Sequence, residues 1–398
     1  MVEADRPLLE SDLRQWKVID AFNEGLQRWG PTLTSGSTWL DPERKLHLSR
    51  YLSLFLFGLV NPVLKSTQAL CAASKLARVQ REVSGQTVSL GSFSEAQHLV
   101  DPKWLERLFT ELSGQVPGPG PVDAHDAWQQ WFAQDGSLLP ALPRMHWALF
   151  GGGKAKKTGA PNNAVKLHLS FNLLEDKPAS ARITEGKTCE RKMWKTQWQP
   201  GAAYVGDRYY GEDYQCLREL DAQGCAYIVR LLDTAVVTVL EELPLTDADR
   251  AAGVIRQARV QLGRRACDRT EGVRVVWVQT ATAGVLRLAT NLPVAQAAAE
   301  LISVMYRRRW QIEGFFKWLK CLLGCRHWYA ESQRGVTIQL YLALIAAVLL
   351  QLATGHRPTK RQMELIQFYQ LGWATLEEVM QQMQAHHQRA ARRAAKKS

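Results

Sequence analysis

Paired cysteines are missing from this chain. Seven cysteines occur among 398 residues (Cys71, Cys189, Cys216, Cys225, Cys267, Cys321 and Cys325), an odd number at scattered spacing with no CxxC set. That pattern excludes a disulfide framework and a structural zinc site, and it points to a reducing, cytoplasmic setting. Cys321, Cys325 and His327 lie close together in sequence but lack a fourth ligand nearby, so they read as ordinary packing. There is no HExxH pair, no Gly-x-Ser-x-Gly elbow and no secretory leader, since the chain opens Met1-Val2-Glu3-Ala4-Asp5-Arg6. Gly151-Gly152-Gly153-Lys154 lacks phosphate-loop spacing. With Lys156 and Lys157 it reads instead as a flexible basic loop able to touch a phosphate backbone. Long apolar runs are scarce as well. The one stretch near membrane-spanning length, 335–355, is interrupted by Gln339 and Gln351 and reads as a helix buried under a sheet.

What is abundant is positive charge. Fifty Lys and Arg against 38 Asp and Glu leave a formal net charge of +12, while 46% hydrophobic and 22% charged residues describe a soluble globular chain. The excess favours a polyanionic partner, nucleic acid or an acidic membrane surface. The final segment carries Arg389, Arg392, Arg393, Lys396 and Lys397 without an acid, and reads as a basic tail or a solvated helix end.

The pattern of elements changes once along the chain. Residues 1–124 read as mostly helical, with apolar periodicity over 8–33, 47–64 and 67–83 and a further short helix opening at Pro102. Pro117-Gly118-Pro119-Gly120-Pro121 cannot continue a helix and marks a boundary. Strands follow at 128–133, 164–172 (half-exposed by its alternation), 179–184, 202–206 and 226–231, with helices at 190–198 and 212–222. Residues 233–283 are β-rich around a polar helical segment. A buried strand at 286–292 then leads into one long helix. This is an α/β layout, compatible with an RNase H-like core split by a β-rich insertion.

That long helix carries the most pointed pattern. On a wheel of roughly 100° per residue, Tyr306, Arg309, Glu313 and Lys320 share one arc. Met305, Ile312, Phe315, Phe316, Leu319, Leu322 and Leu323 occupy the adjoining one. One reading is an amphipathic helix with a solvated charged face. The other is a lone carboxylate set among cations and a phenol, suited to a metal ion held against a phosphate backbone. Two aspartates have the context of partners: Asp135 before Gly136-Ser137, and Asp207 before Arg208-Tyr209-Tyr210, each read at the end of a strand. Asp135 also fits a turn and Asp207 a helix N-cap, and Asp123, Asp126, Glu212 and Asp213 are nearby competitors.

The Tyr-x2-Arg-x3-Glu-x6-Lys spacing resembles the signature of the YREK group of IS4-type DDE transposases, matched at Tyr306, Arg309, Glu313 and Lys320. The surroundings of Asp135 and Asp207 resemble that group's two catalytic aspartates, and Thr290-Asn291-Leu292 resembles the strand ahead of its glutamate helix. The resemblance covers about residues 126–355. It implies an RNase H-like (retroviral integrase-type) catalytic core with a β-rich insertion, plus an N-terminal helical domain. The division it implies is a helical DNA-binding domain over 1–124, core over 125–232, insertion over 233–283, core over 284–355, and a helical basic tail over 356–398.

The resemblance also implies a chemistry. Asp135, Asp207 and Glu313 would be catalytic and would hold Mg²⁺, with Mn²⁺ as a substitute. Tyr306, Arg309 and Lys320 would bind DNA. The activity implied is cut-and-paste transposition by a cytoplasmic, nucleoid-associated protein. It would act on double-stranded DNA (terminal inverted repeats and target) as a homodimer in the synaptic complex. The alternatives are an RNase H-like endonuclease without strand transfer, or a catalytically inactive DNA-binding protein. Some relatives stack a flipped base on a tryptophan ahead of the Thr-Asn-Leu strand. Val285 and Leu286 stand in that vicinity here; Trp277, further upstream, either takes that role or is a strand residue in a core, the latter being the favoured reading.

Overall fold

The strand that carries Asp135 runs on past it. In the computed structural model, which describes residues 46–116, 130–151, 163–264, 270–281, 284–323, 327–354, 357–371, 373–375 and 377–385, β1 spans Trp131–Pro140. It extends so far because β2 (Ala164–Asn172) pairs antiparallel along it from Phe132↔Asn172 to Pro140↔Ala164. β3 (Lys177–Glu185) lies beyond β2. On the other side β4 (Ala203–Gly206) runs parallel to β1 and β5 (Ala226–Arg230) parallel to β4. The stretch 233–283 supplies β6 (Val237–Leu243), β7 (Val254–Leu262) and β8 (Thr270–Thr280), and β9 (Gly284–Thr290) joins β8 to β5. Among the described residues these nine strands form one sheet in the order β3-β2-β1-β4-β5-β9-β8-β7-β6. The strands of 233–283, expected as an insertion, therefore lie in one sheet with β1–β5. The stretch 254–262, read from sequence as part of a polar helical segment, is the strand β7, and only Asp247–Ala251 is helical there.

Helices cover both faces. On one face lie α1 (Leu48–Val60), α2 (Thr67–Ala73), α3 (Leu90–Leu99) and α4 (Pro102–Gln115). Ser66, Ser89 and Asp101 cap three of them by accepting N–H bonds at 3.0–3.1 Å. These helices share one hydrophobic cluster with the sheet residues Trp131, Ala133, Leu167, Leu169, Ala203 and Val205. On the opposite face α5 (Glu190–Lys195) and α6 (Tyr214–Ala222) enclose a second cluster with Phe132, Tyr204 and Tyr227. The alternation of strand side chains accounts for the split. It also corrects the half-exposed reading of β2, whose residues are all buried. Lys166, His168 and Ser170, expected in water, instead meet Thr188 O, Thr184 Oγ1 and Gln134 Nε2.

The long helix of the sequence reading is two helices, α8 (Ala299–Arg308) and α9 (Trp310–Leu323), meeting at Arg309. The joint tightens to three-residue bonding: Arg309 N–H donates to Tyr306 O and Ile312 N–H to Arg309 O, both at 3.2 Å. The insertion's own helix, α7 (Asp247–Ala251), steadies this pair. Asp249 Oδ1 accepts from Glu300 N–H at 2.7 Å, and Ala252 O accepts from Ser303 Oγ at 3.1 Å.

The apolar helix α10 (Gln333–Thr354) is long and apolar enough to cross a membrane, but most of it is buried against α1, α4 and β3. Gln339 and Gln351 explain themselves there. Gln339 bonds Tyr329 N–H and His327 O, and Gln351 donates to Asp176 O, so each satisfies polar backbone inside the protein. α11 (Lys360–Gln370) follows. The stretch 8–33, the boundary at Pro117–Pro121, the loop from Gly152 to Lys157 and the tail arginines and lysines lie outside the described residues.

Candidate active site

Asp135 and Asp207 are brought level by the register of two neighbouring strands. β1 and β4 pair in parallel at Trp131↔Ala203, Phe132↔Tyr204 and Ala133↔Val205, and two further residues on each strand reach the two aspartates. Asp207 stands just past the end of β4, as expected from sequence. Asp135 does not end its strand, because the antiparallel partner β2 carries β1 on to Pro140. The alternation that sends Trp131, Ala133, Ala203 and Val205 into the first cluster sends Asp135 and Asp207 to that same face. α9, with Ile312, Phe315, Phe316 and Leu319 in the same cluster, packs there against β1. Asp135 and Asp207 thus lie on the side of the sheet that α9, the helix of Glu313, covers.

The electrostatics link Asp135 to Asp207 and to Arg309. Burial pushes the Asp135 carboxyl up to about 7, against the Gly136 N–H that it accepts at 2.8 Å and the Arg309 charge; Asp207 and Glu190 push it further up. Asp207 Oδ1 accepts the Tyr209 N–H at 2.9 Å, which closes the turn after β4. Glu313 Oε1 accepts from Arg309 Nη2 at 2.8 Å. Arg309 is buried, contrary to the solvated arc drawn from the helical wheel, and so is Tyr306, whose ring lies 5.8 Å from the guanidinium. Burial raises the Tyr306 phenol while Arg309 and Arg230 pull it back, so it remains a neutral hydrogen-bond donor. Lys320 is half-buried on the far turns of α9.

The donor set fits a hard divalent cation, being all carboxylate oxygen from three adjacent elements, with a buried acid crowded by like charge. As the side chains stand, no three acidic, His or Cys groups among the described residues sit close enough to hold an ion together, and Glu313 is engaged by Arg309. Among the competitors, Glu212 pairs with Arg191 at 3.1 Å and Asp213 caps α6 through Cys216 N–H at 3.0 Å, both structural uses. Asp123 and Asp126 lie outside the described residues. Trp277 is half-buried against the second cluster with the Arg256 guanidinium 4.6 Å over its ring.

Two features escaped the sequence reading. Trp310, next to Arg309, is 59% exposed beside the site. Glu190, a fourth acid, reaches Gly136 from the opposite face. Trp310 lies within the helical stretch that carries Glu313, where residue type alone does not set it apart from Phe315, Phe316 and Trp318. Nothing in the sequence near Glu190 signals its approach to β1.

Comparison with known proteins adds to this geometry. A family model described as the transposase DDE domain matches residues 132–349. The chain is 28% identical over 208 residues to a probable transposase for insertion sequence element IS5377 of Geobacillus stearothermophilus, covering 52% of each. It is 26% identical over 222 residues to the putative transposase y4zB of Sinorhizobium fredii, 55% of this chain and 61% of that one. Over 71 residues it is 37% identical to a putative transposase for insertion sequence element IS4SA of Synechocystis, covering 17% of this chain and 21% of that protein. The chain thus spans about half the length of the first curated relatives it matches. A solved piggyBac transposase synaptic complex with hairpin DNA shares 10% identity and a TM-score of 0.43, over 84% of this chain and 74% of that one.

Proposed function

The chain belongs to the transposase DDE-domain family, and on that premise we propose that it is a DNA transposase of the IS4 type, acting by metal-dependent cut-and-paste. The observation that carries the proposal is the level placement of Asp135 and Asp207 on neighbouring parallel strands, facing the helix of Glu313. This arrangement supports an RNase H-like core in which Asp135, Asp207 and Glu313 hold two Mg²⁺, or Mn²⁺ in their place. When bound, such ions supply Lewis-acid activation of the attacking and leaving oxygens of a phosphodiester. The chain's own groups do the rest. Arg309 carries a charge and a fork of donors that suit a phosphate beside Glu313, and Tyr306 adds a directional donor. Lys320 adds a point charge on the same helix. The reaction proposed is cleavage at the element's ends to a 3′-hydroxyl, followed by attack of that hydroxyl on target DNA.

The remaining assignments belong to the same proposal. The helices of 1–124 recognise terminal inverted repeats. The core lies in 125–232 and 284–355, the insertion in 233–283, and 356–398 is a basic tail along DNA. Two copies pair two ends in a synaptic homodimer, in a cytoplasmic, nucleoid-associated protein.

The test is incubation of purified protein with DNA carrying its own gene's flanking ends and Mg²⁺, beside Glu313→Gln. Cleavage to 3′-hydroxyl ends and joined products by the wild type alone is expected. Cleavage without joining would move the reading to an endonuclease. Binding without cleavage by either protein would leave a DNA-binding role, and equal cleavage by both would remove Glu313 from the site.

A further inference from the structure

We infer that Glu190 and Arg191, adjacent at the start of α5, are positioning residues that brace the two aspartate-bearing strands from the face opposite α9. The inference rests on the reading of Asp135 and Asp207 as metal ligands.

Glu190 holds the β1 side of the brace. Its side chain crosses the strand at Gly136, where an added Cβ would lie 2.7 Å from Glu190 Cδ and 2.8 Å from Oε1. Gly136 is not in the left-handed region, so glycine is not required there for backbone conformation. What it provides is room for Glu190. Lys166 of β2 fixes the carboxylate, with Nζ 3.2 Å from Glu190 Oε1 and 3.0 Å from Thr188 O. Both side chains are largely withdrawn from water (11% and 22% exposed), so the pair is less screened than a surface one.

Arg191 holds the β4 side. Its Nε donates to Tyr209 O at 2.9 Å and Nη2 to Glu212 Oε2 at 3.1 Å, with the guanidinium 4.1 Å over the Tyr209 ring. Tyr209 N–H in turn donates to Asp207 Oδ1. Two consecutive residues of one short helix are therefore tied to the residue after Asp135 and to the turn that orients Asp207. A shift of α5 would change the spacing of the two carboxylates. Mg²⁺ demands near-ideal octahedral distances of about 2.0–2.1 Å, so metal affinity is the property most sensitive to that spacing.

The experiment titrates Mn²⁺ into the full chain bound to a duplex of its flanking ends. Free Mn²⁺ is followed by electron paramagnetic resonance, and DNA affinity and thermal stability are measured alongside. Arg191→Ala should weaken Mn²⁺ binding about tenfold, the scale of a lost partner of a metal ligand, with DNA affinity within about twofold of wild type. Arg191→Lys, which can still donate to Tyr209 O, should recover part of the loss. Gly136→Ala should weaken Mn²⁺ similarly. Glu190→Ala, which removes the β1 side of the brace, should weaken Mn²⁺ similarly, and adding Gly136→Ala to it should cost little more, because the side chain it would clash with is gone. Wild-type Mn²⁺ affinity in Arg191→Ala or in Glu190→Ala would overturn the brace. Asp135→Asn separates the two readings. If it binds Mn²⁺ like wild type, the ligand assignment fails. If it loses Mn²⁺ while Arg191→Ala does not, only the brace fails.

Discussion

The Arg309 guanidinium lies 2.8 Å from Glu313 Oε1, so the carboxylate proposed to take a metal is already paired with a buried cation four residues before it. Metal and arginine therefore compete for Glu313, and a DNA phosphate would compete with Glu313 for Arg309. Arg309→Gln should bind Mn²⁺ several-fold more tightly than wild type in the absence of DNA. The same variant should cleave DNA about 100-fold more slowly, the usual scale for losing one transition-state donor. A Mn²⁺ titration without DNA and a single-turnover cleavage assay check the two halves. Unchanged Mn²⁺ affinity would show that the pair does not obstruct the metal.

Asp135 makes a pH prediction. Its folded-state carboxyl is raised from 3.8 to about 7, mainly by burial. The native chain thus binds more protons than the unfolded chain between those values, and stability from this group is lost as pH rises from about 4 to about 7. Asp135→Asn should therefore melt higher than wild type at pH 8 without metal, by a free energy on the order of a few kcal/mol at most. Mg²⁺ should reverse the order by stabilising wild type alone. Thermal melts at pH 5 and pH 8, with and without Mg²⁺, provide the check, and equal melting at pH 8 would remove the charge cost assigned to Asp135.

Gly211 follows Asp207 by one tight turn, and a Cβ there would lie 2.1 Å from Arg230 O, a backbone atom that cannot swing aside. Gly211→Ala should destabilise the chain by roughly 3 kcal/mol or more, as overpacking against backbone does. The readout is the midpoint of a urea or thermal transition. A near-wild-type midpoint would mean that the turn after β4 yields easily.

Tyr329 ties the N-terminal helices to the residues just before α10. Its hydroxyl lies 2.9 Å from Gly58 O and also meets Leu64 O, while Thr67 Oγ1 donates to Tyr329 O at 2.9 Å. Tyr329→Phe should cost about 1–2 kcal/mol by leaving buried carbonyls without their donor. Cleavage rate per folded molecule should stay near wild type, since no metal or DNA group is touched. A large loss of cleavage at unchanged stability would instead place Tyr329 in the functional path.

Local chemistry was legible wherever side-chain type and spacing carry it. The apolar runs and turn residues around Ala203–Gly206 and Ala226–Arg230 marked strands, and Asp207 was correctly placed at a strand end because Gly206 and the polar run after it stop the pairing. The spacing of Tyr306, Arg309, Glu313 and Lys320 singled out the helical region that packs beside β1. Periodicity could not show that Arg309 is a joint between two helices, because three-residue bonding there leaves no residue-type signature. Nor could it show that β2 is buried on both faces, since Lys166 and His168 look like solvent residues until partners from other elements are beside them. The sequence by itself determined which acids were candidates and that Asp207 would follow a strand. Only the tertiary structure decided that Asp135 and Asp207 stand level, that Glu313 is held by Arg309, and that Glu190 crosses Gly136. Those relations depend on sheet register and on helices packing from both faces, which are long-range properties that no local window contains.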